Sequence, residues 1–353
     1  MAELLTLPNV LAVAMLVALN AYVLLGGADY GGGMWDLLAR GPRREQQRSL
    51  IAHAIGPIWE ANHVWLILVV VLLFTCFPPA FAVLATELHI PLSLMLVGIV
   101  LRGSAFIFRT YDAQTDDVQR RWGLVFSLSS VLTPGALGIC VGAIASGAVA
   151  RSSALTGASF AERFVWPWAN PFVLGVGAFA LALFAFLAAV YLTVEAEGDA
   201  DLQRDFRRRA LGSAFMVFAC ALGTLALSGR YAPHLLEMLT VSRGAIPLQL
   251  TTATSATIAI IALRTRRYRV ARVAAGAQVS LILWGWAIGS YPYIVPDTLS
   301  IAQAAAPTVT LRLTLITLAF GALVLVPSLA YLLHVFKSRP SAFEGLDDAS
   351  ANR

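Results

Sequence analysis

Charged residues are scarce in this chain of 353 residues, since Asp, Glu, Lys and Arg together make up only 13% of it. A soluble domain carries roughly 25% charged residues, whereas hydrophobic residues here reach 58% and the mean hydropathy is +0.75. This composition excludes a soluble domain and indicates a protein that crosses a membrane several times. The net charge of +5 does not indicate nucleic-acid binding, because the arginines form short clusters between apolar runs.

Lysine and cysteine are also rare. Lys337 is the only lysine. The three cysteines, Cys76, Cys140 and Cys220, lie in apolar segments without the spacing of metal ligands, so we interpret them as small buried side chains. The first apolar run begins near Leu7 without a basic segment before it and is too long for a cleavable signal peptide, so none is expected.

Nine apolar runs are candidates for helices that cross the hydrocarbon core, which requires about 20 residues each. The seventh run is short and rich in threonine. We predict an all-α integral membrane protein with about nine transmembrane helices, arranged as two four-helix bundles plus one peripheral helix. The predicted spans are 8–28, 54–77, 80–101, 122–147, 171–194, 210–229, 247–263, 273–294 and 310–336.

The two halves of the chain show weak internal sequence similarity, because Asn9–Val13 resembles Phe172–Val176 and each run leads to an arginine-rich loop. The longest segments between spans are about twenty residues, which leaves no room for a soluble domain. We therefore predict a single membrane domain over residues 1–353. Its predicted parts are two halves at roughly 1–150 and 165–300, a C-terminal helix at 310–336 and a tail at 337–353.

Arginine is distributed unevenly between alternate loops, and cytoplasmic loops carry the excess of basic residues. One set holds only Arg151, Arg163, Arg230 and Arg243. The arginine-rich set is therefore assigned to the cytoplasm. With nine spans, this assignment places the N-terminus outside and the C-terminus in the cytoplasm. The other set, together with the tail, contains Arg40, Arg43, Arg44, Arg48, Arg109, Arg120, Arg121, Arg204, Arg207, Arg208, Arg209, Arg264, Arg266, Arg267, Arg269, Arg272, Lys337 and Arg339.

A polar segment opens the second predicted span. At helical spacing, Glu60 and His63 share one side of the helix, as do Trp59 and His63. An ionised group is costly inside a bilayer, so Glu60 is a candidate functional residue, although it could equally pair only with His63. The segment is Gly56-Pro57-Ile58-Trp59-Glu60-Ala61-Asn62-His63-Val64-Trp65.

The predicted topology brings three charged side chains to a similar depth. Asp29 lies near the inner end of the first span, and Glu60 lies about two turns into the second. Arg102 lies two turns before Arg109 in the third. An arginine lowers the cost of burying two acids, and a hydrated acidic chain open to the cytoplasm is a proton path. The alternative is a structural ion pair that locks three helices together.

Metal binding has little support in the sequence. Glu60-Ala61-Asn62-His63 matches the Glu-x-x-His pattern of di-iron helices, but a second such motif is missing and Glu87 and His89 have the wrong spacing. We therefore predict no metal site in this chain. Haem ligation by His63 or His89 stays an alternative, although a histidine in a membrane span more often bonds to a neighbouring side chain.

Glycines are concentrated at the end of the first span, where they permit close packing against another helix, a cofactor or a partner chain. The run is not a phosphate loop, because it lacks the Lys-Ser/Thr pair and a preceding strand. Trp59 and Trp65 are candidates to line a cofactor carried by a partner. The glycine-rich run is Gly26-Gly27-Ala28-Asp29-Tyr30-Gly31-Gly32-Gly33-Met34-Trp35-Asp36.

These motifs resemble those of subunit II of the cytochrome bd-type quinol oxidases, including the cyanide-insensitive branch. The resemblance extends over essentially the whole chain in length and span count, and the second half is similar only in pattern. It is most specific in three places, namely Gly26–Met34, Gly56–Ile67 and Leu101–Gly103 with Arg109.

The polar segment departs from the family pattern at three positions. The family commonly has Trp-Asp-Gly-Asn followed by Gln or Glu before Val-Trp. Here Glu60 keeps the carboxylate and adds a methylene group, whereas Ala61 and His63 differ from the common form. These departures leave open an unusual cofactor set or an altered proton path.

The resemblance implies an oxygen-reducing, electrogenic heterodimer in the bacterial inner membrane. A larger subunit would carry haem b and haem d-type groups and the quinol site, while this chain ligates no haem. It would supply part of a cytoplasmic proton path for the reduction of oxygen to water, with Glu60 as donor, Asp29 as intake relay and Arg102 as positioning charge. Expected contacts to the partner's haem region are Trp59, Asn62, His63 and Trp65.

Small accessory subunits, membrane lipids and a structurally bound quinone or lipid are further expected partners, and nucleic acid is not. Two other functions stay open on the residues alone. A secondary transporter or channel would also bury acidic residues, although its helices usually break near the membrane midplane, whereas the acids here cluster near one face. The third hypothesis is a purely structural scaffold for the haem subunit.

Overall fold

A computed structural model describes residues 6–55, 59–111, 116–154, 157–241 and 244–338. Within these ranges the structure describes the backbone alone, without the side chains, at 59–61, 109–111, 116–117, 119 and 332–338. Helices dominate, and one antiparallel hairpin pairs β1 (Tyr293–Val295) with β2 (Leu299–Ser300).

Fifteen helices form in the described part of the chain, and the long ones overlap the predicted apolar runs. In chain order they are α1 Leu7–Leu37, α2 Arg44–Ile55, α3 Trp59–Cys76, α4 Pro78–Glu87, α5 His89–Tyr111, α6 Asp116–Ala145, α7 Ala148–Ser153, α8 Phe160–Phe164, α9 Pro171–Glu195, α10 Ala200–Tyr231, α11 Pro233–Thr240, α12 Ala245–Arg264, α13 Tyr268–Ser290, α14 Ile301–Ala304 and α15 Thr308–Ser338.

Eight of these helices are long and apolar enough to cross a membrane, and α3 with α4 adds a ninth candidate if this bent pair is one span. The all-α membrane fold predicted from the sequence is therefore confirmed. Several helices continue past the predicted spans into charged sequence. The first predicted span ended at residue 28, whereas α1 continues to Leu37. The sixth began at residue 210, whereas α10 begins at Ala200.

The predicted third span, 80–101, is wrong in its bounds. Residues 78–87 form the separate helix α4, and the axes of the two helices on either side of Phe77 differ by 118°. Phe77 adopts φ −135° and ψ 55°, because a residue before proline is disfavoured in the helical conformation. The next long apolar helix is α5, which begins at His89, so Arg102 lies near its middle.

Helix α9 is the most buried of the candidate spans and lies at the centre of the apolar core. It begins at Pro171, where Asn170 Oδ1 accepts a hydrogen bond from the backbone N–H of Val173 at 3.0 Å. Its side chains pack against α1, α6, α10 and α13. The indole Nε1 of Trp35 in α1 donates to the carbonyl oxygen of Ala185 in α9 at 2.8 Å.

The described residues up to Ala305 and those from Ala306 onward form two compact units. The first contains α1 to α14 and the hairpin. The second contains α15, with Pro327 inside the helix. The predicted C-terminal helix at 310–336 corresponds to α15, and the predicted tail lies mostly outside the described residues.

The glycine-rich end of α1 packs against other helices of this same chain. A Cβ atom on Gly31 would overlap the carbonyl oxygen of Phe184 and lie 2.6 Å from the Cβ of Ala188, both in α9. A Cβ on Gly33 would overlap the Oγ of Ser130 in α6. Because Gly31 and Gly33 have no side chains, α1 can approach α9 and α6 this closely.

Gly31→Ala should destabilise the folded protein, because the added methyl group meets backbone of α9 that cannot rotate away. Overpacking of this kind costs about 1–3 kcal/mol. Gly212→Ala is the matched control, because Gly212 lies within α10 and has nothing within 4 Å of its built Cβ. The measurement is the midpoint of thermal unfolding in detergent. A Gly31→Ala midpoint equal to that of Gly212→Ala would contradict the packing argument.

Candidate functional site

A buried ion pair joins α1 to α5. Arg102 Nη2 donates to Asp29 Oδ1 at 2.7 Å, and Nη1 donates to Oδ2 at 2.8 Å. The exposed fractions of the two residues are 1% and 4%. Two parallel charge-assisted hydrogen bonds of this fork geometry are the strongest arrangement for an arginine and a carboxylate. The predicted spatial convergence of Asp29 and Arg102 is therefore present in the structure.

The remaining polar atoms of Arg102 also have partners. Nε donates to the Oγ of Ser130 at 2.9 Å, and Nη2 donates to the backbone oxygen of Asp29 at 3.2 Å. The guanidinium carbon lies 4.8 Å from the centre of the Tyr30 ring and 4.6 Å from that of Phe126. Aromatic faces attract a cation. The charge is thus compensated on several sides within an apolar bundle.

Two tyrosines and a histidine lie beside this pair. The hydroxyl of Tyr22 donates to that of Tyr30 at 3.4 Å, and both residues are buried. The ring centre of His63 lies 6.5 Å from that of Tyr22 and 6.4 Å from that of Tyr30. Neither tyrosine was among the predicted site residues, although Tyr30 directly follows Asp29 and Tyr22 lies two helical turns before Asp29.

The other predicted site residues lie on α3, which packs against α1. Glu60 and Trp59 belong to its first turn, but their side chains lie outside the described residues. Asn62 is fully buried, and its Nδ2 donates to the carbonyl oxygen of Leu25 at 3.5 Å. Trp65 is partly buried against the core of this chain. Asn62 therefore faces α1 of its own chain.

A line of polar side chains follows the contact between α1 and α6. Asp29, Gly33 and Asp36 share one face of α1, since they are separated by four and three residues. On α6, three buried hydroxyl side chains recur every three residues, at Ser127, Ser130 and Thr133. We refer to these six residues as the α1–α6 seam.

The end of the seam nearest the C-terminus of α1 contains a second buried carboxylate. Asp36 is 1% exposed, and its Oδ2 accepts a hydrogen bond from the Oγ of Ser127 at 3.2 Å. Arg48 Nε lies 3.7 Å from Asp36 Oδ1. Asp36 was not among the predicted site residues. The signal that the sequence offered was the three-residue spacing of hydroxyl side chains in an apolar span.

Glu87 belongs to a different cluster. It ends α4, is 3% exposed, and its Oε1 accepts a hydrogen bond from Arg163 Nη2 at 3.0 Å. Arg163 belongs to the short helix α8. This ion pair connects α4 to α8.

The two histidines that were alternatives for haem ligation both pack against side chains of this chain. His63 packs beside Tyr22 and Tyr30, as above. His89 Nδ1 lies 2.8 Å from the carbonyl oxygen of Thr86, and its ring packs against Phe160 and Phe164. Among the residues that the structure describes, no group of three or more His, Cys, Asp or Glu side chains could hold a metal ion.

Comparisons with known proteins agree with this architecture. The chain is 27% identical over 232 residues to a cytochrome bd ubiquinol oxidase subunit 2 of Bacillus subtilis, a segment that spans 65% of this chain and 63% of the relative. It is 24% identical over 204 residues to the cytochrome bd-I ubiquinol oxidase subunit 2 of Escherichia coli, over 58% of this chain and 52% of the relative. The matched segments thus span between about half and two thirds of these relatives.

A solved structure is similar over a larger part of the chain. The bd oxidase from Geobacillus thermodenitrificans contains a chain that superposes with a TM-score of 0.77 at 22% identity, over 94% of this chain and 99% of that one. At this identity the similarity shows the fold. The profile of the family described as cytochrome bd terminal oxidase subunit II matches residues 7–336. The chain therefore belongs to the cytochrome bd terminal oxidase subunit II family.

Proposed function

We propose that this chain is subunit II of a bd-type quinol:O2 oxidoreductase, that it packs against a haem-bearing subunit, and that it contributes a cytoplasmic proton path for the reduction of oxygen to water. The relatives from Bacillus subtilis and Escherichia coli are named ubiquinol oxidase subunits, which supports a quinol as the electron donor. The observation that carries the proposal is the buried pair of Asp29 and Arg102 inside a membrane-spanning bundle.

Reduction of oxygen to water consumes one proton for each electron, so the complex needs a proton route as well as an electron route. Haem b and haem d-type groups in the partner would supply the electron transfer and the oxygen chemistry. This chain supplies groups that can hold or move protons at membrane depth. Carboxylates, tyrosine hydroxyls and histidine all do so, and ionisable residues inside spans commonly mark proton relays.

The proposal gives each of these residues a role. Asp29 is the relay, and Arg102 keeps its carboxylate in place through two hydrogen bonds. Glu60 is the donor, because it lies on α3, which packs against α1 and carries His63 one turn later. The arginine-rich loops face the cytoplasm in this proposal, with the N-terminus outside, so protons enter from the side where α1 ends.

The fork geometry also supports a second function, in which the pair of Asp29 and Arg102 only locks α1 to α5. Buried ion pairs are weak evidence for stability, but removal of one partner from such a pair is strongly destabilising. The two functions therefore differ in what happens when both charges are removed together, and not in the effect of either single change.

Glu60→Gln should reduce oxygen consumption of the assembled complex by about 10²–10⁴-fold, because glutamine keeps the size and polarity but cannot release a proton. Glu60→Asp should retain part of the activity. Glu237→Gln is the matched control, since Glu237 is exposed on the short helix α11. Haem content is measured in the same preparations. Normal activity per haem in Glu60→Gln, with lowered assembly, would reject the donor role.

The double variant Asp29→Asn with Arg102→Gln should assemble but turn over slowly. Arg102→Gln alone leaves a buried unpaired carboxylate and should cost about 3–5 kcal/mol of stability. The neutral double variant removes that penalty, but it also removes the protonatable group. Yield of the complex and oxygen consumption per haem are the two measurements. Wild-type turnover in the well-assembled double variant would establish the structural lock instead.

This chain expressed without its partner should bind no haem in stoichiometric amount. His63 packs against tyrosine rings and His89 contacts Thr86, so neither is arranged with the other as an axial pair. The visible spectrum of the isolated folded subunit tests this expectation. A Soret band in proportion to protein would overturn it, whereas a spectrum without that band combined with full haem in the complex assigns the haems to the partner.

A further inference from the structure

A pocket of about 830 Å³ opens beside the C-terminal end of α1, between α2 and α6. Charged groups keep a pocket hydrated, because their desolvation is costly. The polar side chains that line it are Arg44, Glu45, Arg48, Ser49, Arg120 and Ser127.

Asp36 lies directly behind the wall of this pocket. Two of the wall residues contact it, since Ser127 Oγ donates to Asp36 Oδ2 at 3.2 Å and Arg48 Nε lies 3.7 Å from Oδ1. Asp36 itself is 1% exposed. A single layer of side chains therefore separates a buried carboxylate from the water of the pocket.

The α1–α6 seam connects Asp36 to the Asp29–Arg102 pair. The two carboxylates are seven residues apart on α1, or about 10 Å along its axis. Gly33 lies between them, and its missing side chain makes room for Ser130. The Oγ of Ser130 accepts from Arg102 Nε at 2.9 Å and donates to the carbonyl oxygen of Phe126 at 2.7 Å. Ser127 lies one turn from Ser130 on α6.

We propose that Asp36 is the entry carboxylate of the proton path, which loads from the pocket and delivers along the α1–α6 seam to the Asp29–Arg102 pair. This inference rests on the proposed function. In each cycle the carboxylic acid of Asp36 releases one proton into the seam, and the resulting carboxylate takes one proton from a hydronium ion in the pocket, which leaves a water molecule. Hydrogen bonds and O–H bonds exchange, and no other covalent bond changes.

The charges around Asp36 fit this role. The groups that face it or line the pocket are Arg44, Glu45 and Arg48 from α2 and Arg120 from α6, with Asp29 and Arg102 at the far end of the seam. Arginine stays protonated and cannot carry a proton through its own titration. Asp36 is a carboxylate, and it accepts a hydrogen bond from a hydroxyl of the seam, the Oγ of Ser127.

Asp36→Asn in the assembled complex tests the proposal. Turnover should fall by about 10²-fold, at the low end of what a positioned proton donor contributes. The loss should grow as the pH rises, because protons then reach the seam less often. Asp36→Glu should restore most of the activity. Asp201→Asn is the matched control, since Asp201 is a half-exposed carboxylate in α10 outside the pocket.

A second measurement uses acetic acid added to the assay buffer. This small weak acid fits the pocket, its anion is attracted by the arginines, and it can protonate the seam in place of Asp36. Acetate should therefore raise the turnover of Asp36→Asn but not that of Glu60→Gln. A role of Asp36 as a structural anchor for Arg48 predicts reduced complex yield, a loss of turnover independent of pH, and no effect of acetate.

The outcomes separate this inference from the proposed function. If Glu60→Gln turns over slowly while Asp36→Asn keeps the wild-type turnover and pH profile, the entry role is overturned and the proton path stays in place. Wild-type turnover in both variants rejects the proton path itself. A pH-dependent, acetate-sensitive loss in Asp36→Asn with normal haem content supports the entry role.

Discussion

The burial of Arg102 inside an apolar bundle is the constraint on which the site depends. A guanidinium at membrane depth is tolerated only when its charge is paired and its hydrogen bonds are made. Asp29 supplies the opposite charge, Ser130 accepts from Nε, and two aromatic rings cover the remaining surface. These partners come from α1 and α6, so one side chain of α5 fixes how three helices meet.

Close helix packing makes this arrangement possible. Gly31 and Gly33 let the backbone of α1 approach α9 on one side and α6 on the other. The same approach that removes space for side chains brings Ser127 against Asp36 and Ser130 beside Arg102. The polar seam is thus a consequence of glycine packing, and its two ends are carboxylates at different distances from the charged loops.

The all-α membrane fold was predictable from the length and hydropathy of the apolar runs. The convergence of Asp29 with Arg102 was predictable because a charge is costly in a bilayer, and because the order of the spans places both residues at a similar depth. Sequence reasoning misplaced the third span, since hydropathy does not register that the apolar residues 78–87 form a separate helix, α4, which ends before α5 begins at His89. It missed Asp36 and the hydroxyls of α6, because interhelical contacts cannot be assigned without knowing which faces meet. The role of Glu60 stays a prediction, and its side chain lies outside the described residues.

The most direct test of the account is the rate of proton uptake when oxygen reacts with the fully reduced complex, followed with a pH-sensitive dye. In the double variant Asp29→Asn with Arg102→Gln, the account predicts uptake slowed by about 10²–10⁴-fold relative to wild type, with reduction of the haems by quinol unchanged. Uptake at the wild-type rate in that variant, with full haem content, would contradict a proton route through the buried pair.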